Sequence, residues 1–579
     1  MINEPIKEKL NKVSHSVRAA QAILQYGVGA MVDFPDQTLM TAAPEYWSTG
    51  DGLRVIRDER LERQLGVDFF AIPRDMSEPS EEGIAYVRFP RWYFCPKCRR
   101  LEPLSFWLRE YRSRGASLAK QDKYMKRPVC LGDSCRGRRG RGIGLVPARI
   151  VVACEDGHID DFPWVEWVHA KDNKPICEEP HLTFKTGVSS SSGLEGLTIE
   201  CKTCGAKANL EHSFDKDGLS IIPRFHCSGN VPWRNERVHC GKIPQAKQRG
   251  ASVIYYPKVD SSLVIPPYSD RVRSRIVASP QYARILAVIQ DNDEYDKVPR
   301  DAFIARRVDG WVDDLSLALH IDRGVIKFHL RALLDEHPNV PDAEASSEVY
   351  RQDEFRALAG MVTARSSDDD FLREGRNGNE YGIPGVTHVA LLHKIREVRA
   401  LVGFTRLNPP STGVLGIPRQ DIARFQCVKR PETRWYPGYE VRGEGIFIQF
   451  DNEFLAQWLD RNDHAEAQMS KLRHNARLEG LTGLKVNAKF VFLHTLAHLL
   501  IQRLSFESGY NSASLRERIY CDVDHPEFPM SGLFLYTACG DSEGTLGGLV
   551  RQGTPERLRR VFLSALEGAR WCSNDPICS

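Results

Sequence analysis

The stretch Cys95-Pro-Lys-Cys98, followed by Cys130-Leu-Gly-Asp-Ser-Cys135, decides how the N-terminal half of this chain folds. Two cysteines separated by two residues lie on one tight turn, and a second pair further along closes four sulfurs around one metal ion. The two pairs therefore predict a tetrahedral zinc site with four thiolate ligands. Because a closed site of this kind is typical of zinc ribbons, we expect its metal to be structural.

A second group of cysteines repeats this pattern further along the chain. Cys201-Lys-Thr-Cys204 is another tight pair, and Cys227 and Cys240 form a looser one. Grouped in chain order, these four residues predict a second site with four cysteine ligands. A nearby histidine could replace one of its sulfurs, the candidates being His212, His226 and His239.

Disulfide bonds are the alternative to metal for so many cysteines. The chain begins Met-Ile-Asn-Glu-Pro-Ile-Lys-Glu, without the basic and apolar segments of a secretion signal, so nothing directs it to an oxidising compartment. We therefore expect a cytoplasmic protein with reduced thiols that hold two structural Zn²⁺ ions. Three cysteines have no close cysteine partner, and we interpret them as small buried side chains: Cys154, Cys177 and Cys427.

Length, charge and motif searches exclude several classes of protein. A chain of 579 residues predicts about three to five domains. No run of about 18 apolar residues occurs, so we expect no membrane-spanning helix. The sequence G-x-x-x-x-G-K-[ST] is absent, so no P-loop binds a nucleotide and the chain is not a helicase motor. The net charge of +3 neither requires nor excludes nucleic acid as a partner.

Local charge is more informative than net charge. The segment Arg136-Gly-Arg-Arg-Gly-Arg141 places Arg136, Arg138, Arg139 and Arg141 on a glycine-rich loop next to the first cysteine group. Such a loop suits contact with DNA phosphates, and a solvated surface loop is the alternative interpretation. Further arginines in the same neighbourhood strengthen the positive charge: Arg99, Arg100, Arg109, Arg112 and Arg114.

The order of predicted elements indicates an α+β multidomain protein. We expect four parts: helices and loops over 1–86, a zinc-ribbon region with both four-cysteine sites over 87–250, a mixed α/β region over 251–450, and a mainly helical C-terminal domain over 451–579. In the mixed region the patterns predict short helices at 303–308, 312–320 and 323–334, and strands at 387–392, 398–406 and 444–450. The last two helices could form a helix-turn-helix, although such hairpins often simply pack.

The best catalytic candidate is His494-Thr-Leu-Ala-His498, on an apolar helix. Histidines at i and i+4 share a helix face and could hold one metal, with Glu507 and Asp541 as further ligands. A zincin would carry a glutamate in place of Thr495, so we favour two buried, hydrogen-bonded histidines and assign no catalytic residue. A metal-dependent nuclease or hydrolase remains the alternative.

Two further features receive structural interpretations. We interpret His158, Asp160 and Asp161 as part of a turn and its caps. Near the end, Cys572 and Cys578 look like half of a possible third zinc site. Either Cys521 and Cys539 supply its other ligands, or, as we prefer, the natural protein continues beyond Ser579.

Several motifs resemble a known family. The helix at 491–501 and the segment Tyr536-Thr-Ala-Cys-Gly-Asp-Ser-Glu-Gly544 resemble the domain of unknown function at the C terminus of MrfA-type DNA-repair helicases. The whole chain resembles the DrmB family of DISARM antiphage systems, with further matches at 25–35, 153–164 and 248–252. This resemblance implies a heterodimer with the helicase DrmA and a shared task of engaging foreign DNA. It also implies further cysteines after Trp571-Cys-Ser573.

We therefore expect a non-enzymatic, zinc-containing accessory subunit that helps a helicase to bind DNA, with no nucleotide or membrane of its own. The arginine loop at 136–141 would contact phosphates, and the Gly-Asp-Ser-Glu-Gly segment with the C-terminal helices would contact the helicase. A pure scaffold without DNA contact is a further alternative.

Overall fold

The structure is a computed structural model that describes residues 18–570 with internal gaps. The gaps lie at 35–36, 48–52, 74–82, 116–118, 121, 123–124, 137–141, 187–195, 295–297, 336–342, 363–369, 410–424, 479–486, 522–528 and 538–546.

Fourteen α-helices occur among the described residues. In chain order they are α1 (Ala19–Ile23), α2 (Glu59–Leu65), α3 (Leu104–Arg114), α4 (Trp164–Lys171), α5 (Arg271–Val277), α6 (Pro280–Glu294), α7 (Arg300–Leu319), α8 (Arg323–Asp335), α9 (Ala343–Ala359), α10 (Asn452–Asp460), α11 (Asp463–Leu478), α12 (Ala488–Ser508), α13 (Gly548–Gln552) and α14 (Pro555–Gly568).

The β-strands of the described residues form several separate sheets. In chain order they are β1 (Met31–Phe34), β2 (Gln37–Thr41), β3 (Leu53–Ile56), β4 (Phe69–Pro73), β5 (Tyr86–Arg88), β6 (Trp92–Phe94), β7 (Arg100–Pro103), β8 (Val129–Cys130), β9 (Ile143–Gly144), β10 (Val146–Pro147), β11 (Ile150–Ala153), β12 (Ile159–Asp161), β13 (Leu182–Thr186), β14 (Leu197–Cys201), β15 (Lys207–Asn209), β16 (Asn230–Val231), β17 (Glu236–Arg237), β18 (Gln245–Gln248), β19 (Tyr256–Leu263), β20 (Phe371–Asn377), β21 (Val386–Thr405), β22 (Gln426–Cys427), β23 (Trp435–Phe450), β24 (Leu515–Cys521) and β25 (Ser531–Thr537).

The largest sheet is built on two long antiparallel strands, β21 and β23. Its main path runs β19-β21-β23-β25-β24, while β20 and β22 pair with β21 and the hairpin β3–β4 joins β23. The register pairs Val389 with Ile448 and Ile446 with Leu535. Strands of this sheet come from three of the four parts predicted from the sequence, so backbone hydrogen bonds connect those parts.

Strand β21 corrects two sequence predictions at once. The strands predicted at 387–392 and 398–406 are one strand with a register shift between Leu392 and Ile395. The polar residues His393 and Lys394 lie at this bulge, so they interrupt the hydrophobic pattern without ending the strand.

Both faces of the large sheet are covered, which explains why its long strands are apolar at successive positions. On one face, Val389 and Leu391 pack with residues of α12 and α14, including Leu500 and Leu558. On the other face, Ala390 and Leu392 belong to a core that also contains residues of α9. The α12 side of this sheet therefore forms the main core of the C-terminal part.

Helices α5–α8 form a small bundle beside the sheet. The helices predicted at 303–308 and 312–320 are a single helix, α7, because the intervening polar residues lie on its exposed side. Ile326 and Leu330 of α8 are fully buried against Val312 of α7. Since this face of α8 is used for packing, it does not serve as the groove-reading face of a helix-turn-helix.

Most of the described strands in the N-terminal half belong to small sheets. One has the order β10-β6-β7-β13-β14-β15, and a second has the order β12-β11-β18. The predicted α+β class is confirmed, and cysteine clusters on these short hairpins could form zinc-ribbon-like sites. Among the described residues, no helix has both the length and the apolar character needed to cross a bilayer.

Candidate metal centres

Three groups of cysteine and histidine side chains could each hold a metal ion. We name them the ribbon cluster (Cys95, Cys98, Cys130 and Cys135), the hairpin cluster (Cys154, His158, Cys227 and Cys240) and the helix cluster (His169, Cys177, Cys201 and Cys204). Within each cluster the four ligand atoms all lie within 4.8 Å of one another. Each cluster therefore offers the four converging ligands that a structural zinc site requires.

The ribbon cluster has the geometry of two facing turns. Cys95 follows β6, and its turn back to β7 is closed by hydrogen bonds from the Cys95 amide to the Arg100 carbonyl and from the Arg99 amide to the Cys95 carbonyl. The Sγ atoms of Cys95 and Cys135 lie 3.6 Å apart, and those of Cys98 and Cys130 lie 3.8 Å apart. Sulfurs bound to one tetrahedral zinc are separated by about 3.8 Å. This grouping is the one that the sequence predicted.

Electrostatics in the ribbon cluster favour a bound cation. Burial raises the pKa of Cys130, and the neighbouring thiols of Cys95 and Cys98 raise it further. Burial and the Cys95 thiol likewise raise the pKa of Cys98. Four thiolates can be ionised together here only if a positive charge lies between them, because like charges at this distance repel strongly in a buried site.

The hairpin cluster is built around the turn between β11 and β12. The Cys154 amide donates to the His158 carbonyl, and the Cys154 Sγ lies 3.4 Å from His158 Nδ1. The neighbouring Cys227 thiol and burial together raise the pKa of Cys154 to about 12. The pairing of β11 with β18, in which Ala153 lies opposite Gln245, brings the chain around Cys240 to this turn.

Two glycines shape the hairpin cluster. Gly157 has a φ of +80° in the turn that carries His158. Gly229 has a φ of +63°, its amide donates to the Cys227 Sγ over 3.4 Å, and its carbonyl accepts from the Val238 amide. Only glycine adopts such a conformation at little cost, so these turns set the positions of the ligands.

The helix cluster includes a histidine that is well oriented for metal binding. His169 lies on α4, and its Nδ1 is 2.8 Å from the Val165 carbonyl, which fixes the Nδ1–H tautomer. The free Nε2 lone pair then faces Cys204 at 3.3 Å and Cys177 at 3.7 Å. Although burial alone would raise it, the backbone amides of Cys204 and Thr203 lower the pKa of Cys201 to about 6. This set can form a site of three cysteines and one histidine.

The structure groups the four cysteines of the predicted second site differently. Cys201 and Cys204 lie in the helix cluster, whereas Cys227 and Cys240 lie in the hairpin cluster. The prediction grouped ligands by their order along the chain, but pairing between distant strands completes each cluster with residues from elsewhere. Cys154 and Cys177, interpreted as isolated buried side chains, are members of these clusters, and so is His158.

The histidines proposed as substitutes for a sulfur lie elsewhere. His226 and His239 are exposed, and the His212 ring contacts the Asp215 carboxylate at 2.9 Å. The histidines that do join clusters are His158 and His169. The only hint in the sequence is that each lies within a few residues of a cysteine of its cluster, His158 near Cys154 and His169 near Cys177. Cys427 lies beside the Tyr436 hydroxyl, outside the clusters found in the described part of the chain.

The pair His494 and His498 differs from its sequence interpretation. The two rings are not buried, since their side chains are 42% and 64% exposed. They converge on Glu517 of β24 rather than on Glu507, and Asp541 lies outside the described residues. Glu517 reaches the histidines because β24 packs beside α12. No sequence pattern near the histidines indicates this contact, so Glu517 could not be predicted as a ligand.

The arginine surface is only partly described. Arg136 is exposed and its guanidinium donates to the Arg114 carbonyl, whereas Arg138, Arg139 and Arg141 lie outside the described residues. Arg100 and Arg114 form ion pairs with Glu110. Of the neighbouring arginines, Arg99 donates to the Phe184 carbonyl, and Arg109 and Arg112 are exposed on α3.

The predicted third site at the C terminus falls largely outside the described residues. Cys572, Cys578 and Cys539 lie there, as does the Gly-Asp-Ser-Glu-Gly segment. Cys521 ends β24 and belongs to none of the clusters in the described residues.

Comparisons with known proteins show which proteins this chain is similar to. Residues 18–256, which contain all three clusters, match a family model described as a domain of unknown function, DUF8724. A DNA-bound crystal structure of the DUF1998 helicase MrfA matches 37% of this chain and 22% of that chain, at 10% identity and a TM-score of 0.17, which is too low to establish a shared fold. The chain is 29% identical over 565 residues to "DISARM protein DrmB" of Bacillus paralicheniformis, covering 95% of this chain and 90% of that protein. The similarity to DrmB that the sequence motifs indicated is therefore confirmed, and it extends over nearly the whole chain.

Proposed function

We propose that this chain is a non-motor subunit of a DISARM antiphage defence complex, in which three structural Zn²⁺ ions hold its N-terminal half together. The similarity to DrmB along 95% of the chain supports the role in DISARM. The missing P-loop motif suits a subunit whose partner, the helicase DrmA, supplies the motor in a heterodimer.

The convergence of four ligands in each of the three clusters carries the zinc assignment. All twelve ligands are buried or half-buried, and each set is closed by four protein atoms, which leaves no open position for a substrate. One set has four cysteines and the other two have three cysteines and a histidine, and such sulfur-rich sets select Zn²⁺ over Mg²⁺ or Ca²⁺. The ions would thus stabilise the fold rather than perform chemistry.

Metal analysis of the purified chain tests this assignment. We expect three tightly bound Zn²⁺ ions per chain from these clusters, and we expect strong chelators to unfold the N-terminal half. A zinc-free protein with an unchanged thermal unfolding curve would contradict a structural role.

We further propose that the surface next to the ribbon cluster contacts DNA phosphates. The exposed residues Arg109, Arg112 and Arg136 lie on and near α3, and Arg138, Arg139 and Arg141 follow in the sequence. Because Arg100 forms an ion pair with Glu110 and Arg114 forms one with Asp133, we assign the positive charge of this surface to Arg109, Arg112 and Arg136.

A charge-removal experiment on the complex with DrmA tests the DNA contact. We expect replacement of Arg136, Arg138, Arg139 and Arg141 by glutamine to weaken binding and reduce the slope of log K against log salt by up to about 3 to 4. The control replaces four exposed arginines far from this loop in sequence: Arg284, Arg306, Arg331 and Arg461. An equal salt slope in both variants would favour a scaffold without DNA contact.

We also propose that the C-terminal helices contact DrmA. Leu563 and Leu566 are exposed large apolar side chains on α14, a helix whose other face packs into the core through Leu558 and Val561. Leu563→Glu or Leu566→Glu should reduce co-purification with DrmA, whereas Leu317→Glu on α7, which is also exposed, should not. Full co-purification of both α14 variants would place the helicase contact elsewhere.

A further inference from the structure

A fourth group of metal-ligating atoms lies where α12 crosses the edge strand β24. We name it the histidine site: His494, His498 and Glu517. Helix α12 begins after Asn487, whose side chain accepts hydrogen bonds from the Lys489 and Phe490 amides. The i and i+4 spacing then places both imidazoles on the side of the helix that faces Glu517.

Glu517 occupies a position where the strand pattern calls for an apolar side chain. Leu515 and Ile519 point into the core beneath α12, and Glu517 lies between them on the same face of β24. Its Oε1 approaches His494 Nε2 at 2.9 Å and His498 Nε2 at 3.4 Å. Its Oε2 is buried and has no hydrogen-bond partner among the described atoms. A carboxylate so placed requires a positive partner to offset its lost hydration.

The distances among the three ligand atoms match a shared metal ion. His494 Nε2 and His498 Nε2 lie 3.0 Å apart. Nitrogen atoms bound to one Zn²⁺ ion at about 2.0 to 2.1 Å are separated by about 2.9 to 3.4 Å. One proton can bridge only one pair of these atoms, whereas a cation at their centre satisfies two imidazole lone pairs and the carboxylate together.

We propose that His494, His498 and Glu517 bind one divalent transition-metal ion, with at least one coordination position left open to solvent. Two imidazoles and a carboxylate suit Zn²⁺, Fe²⁺ or Co²⁺. With His498 64% exposed, the open position is accessible to water or to an anionic oxygen ligand.

This site differs in kind from the three thiol clusters. It has three ligands rather than four, no sulfur, and partial exposure, so its metal should exchange with solution while the thiol-bound ions stay in place. The ion would also connect α12 to the edge of the large sheet. The site therefore combines an exchangeable ion with a place for an external ligand.

Metal titration of the full-length chain tests this proposal. After dialysis against a mild chelator that leaves the thiol-bound zinc in place, Co²⁺ is added and binding is followed by calorimetry and by visible absorption. We expect one site per chain, with the weak absorption bands of nitrogen and oxygen ligands and no thiolate-to-cobalt charge-transfer band. Removing a residue that hydrogen-bonds to a metal ligand typically lowers metal affinity about 10- to 100-fold. We expect removal of one of the three ligands to lower the Co²⁺ affinity by at least this factor.

The variants are His494→Ala, His498→Ala and Glu517→Gln, with His474→Ala on the exposed side of α11 as the matched control. Zinc content and thermal unfolding are measured on the same samples to establish that the thiol clusters and the fold are intact. Because the His498 side chain is mostly exposed, we expect His498→Ala to fold, so this variant can be tested even if the other two unfold. Undetectable Co²⁺ binding to the wild type, or equal binding by wild type and all three variants, would overturn the proposal. Neither result bears on zinc at the thiol clusters or on DNA binding.

Discussion

The guanidinium of Arg406 donates a hydrogen bond to the backbone carbonyl of Gly157 over 2.9 Å and another to that of Gly29 over 2.8 Å. A third goes to the Ile254 carbonyl. Arg406 is completely buried, and burial lowers its pKa. Gly29 and Gly157 belong to two of the segments that carry the family resemblance, at 25–35 and 153–164. One side chain thus joins these segments beside the hairpin cluster.

Arg406→Ala should lower the free energy of unfolding by about 3 to 5 kcal/mol. Three carbonyls would lose their donor inside the protein, at about 1 to 3 kcal/mol each before relaxation, and a cavity would remain. Chemical denaturation followed by tryptophan fluorescence provides the measurement, since the Trp233 ring lies against Arg406. Arg434→Ala, which breaks an exposed pair with Asp68, should cost about 1 kcal/mol or less. Equal losses in the two variants would argue against a special role for Arg406.

Gly229→Ala should remove the metal from the hairpin cluster. A Cβ on Gly229 would lie 1.6 Å from the Val238 carbonyl oxygen, and the φ of +63° disfavours any side chain by about 1 to 2 kcal/mol. The backbone must therefore shift between Cys227 and Cys240, and after a mild chelator has emptied the histidine site, zinc should fall from three ions per chain to two. Gly241→Ala is the matched control, because nothing lies within 4 Å of its added Cβ although it adjoins Cys240. Three ions in both variants would show that this turn does not position the ligands.

One predicted group of cysteines coincides with a cluster of the structure and the other does not, and this difference has a physical cause. The ribbon cluster was predictable because each of its two pairs lies on one local turn. The other two clusters are completed by contacts between distant parts of the chain, such as the pairing of β11 with β18 and the packing of α4 near Cys204. Spacing along the sequence does not reveal such pairings. Cys201, Cys204, Cys227 and Cys240 were therefore predicted to form one site, whereas the structure divides them between two clusters.

The same limit applied to the C-terminal part of the fold. The helical pattern of α12 and the i and i+4 spacing of its histidines were readable, but the position of Glu517 opposite them depends on how β24 pairs with β25. The two halves of β21 were also predicted from the sequence, but the bulge between Leu392 and Ile395 interrupts the hydrophobic pattern and hid the fact that they form one strand. Local periodicity thus predicted helices and strands, whereas the pairing of distant strands determined which side chains lie together.

Cys177→Ser should lower the zinc content by one ion per chain. The Cys177 Sγ lies 3.7 Å from Cys201 Sγ and 3.7 Å from His169 Nε2, so it completes the four ligands of the helix cluster. Cys427→Ser should leave the zinc content unchanged, because its thiol contacts the Tyr436 hydroxyl instead. Elemental analysis of both variants distinguishes the three clusters of the structure from the two sites predicted in chain order. Unchanged zinc in the Cys177 variant would favour the two-site grouping.

Acid should destabilise the protein through Glu397, which lies within the large sheet. Burial alone would raise the pKa of Glu397, but Arg399 and Arg518 hold it at about 2. The Arg518 guanidinium and the Tyr536 hydroxyl each donate to its Oε1 over 3.0 Å. Since this pKa lies below the usual value of 4.5, the stabilisation is present above about pH 4.5 and is lost as the pH falls towards 2. The loss should amount to about 3 kcal/mol.

Glu397→Gln isolates this contribution. The variant should be less stable than the wild type at neutral pH, because Arg399 loses its buried anionic partner, and the difference should shrink by about 3 kcal/mol between pH values of about 5 and 2. Denaturation curves collected across this range give the difference directly. Glu432→Gln changes an exposed carboxylate and should give a curve parallel to that of the wild type. If the difference in stability between wild type and Glu397→Gln stays constant with pH, another acidic group must govern acid unfolding. A carboxylate whose pKa is about 2 in the folded protein and about 4.5 in the unfolded chain must lose its stabilising contribution when it is protonated.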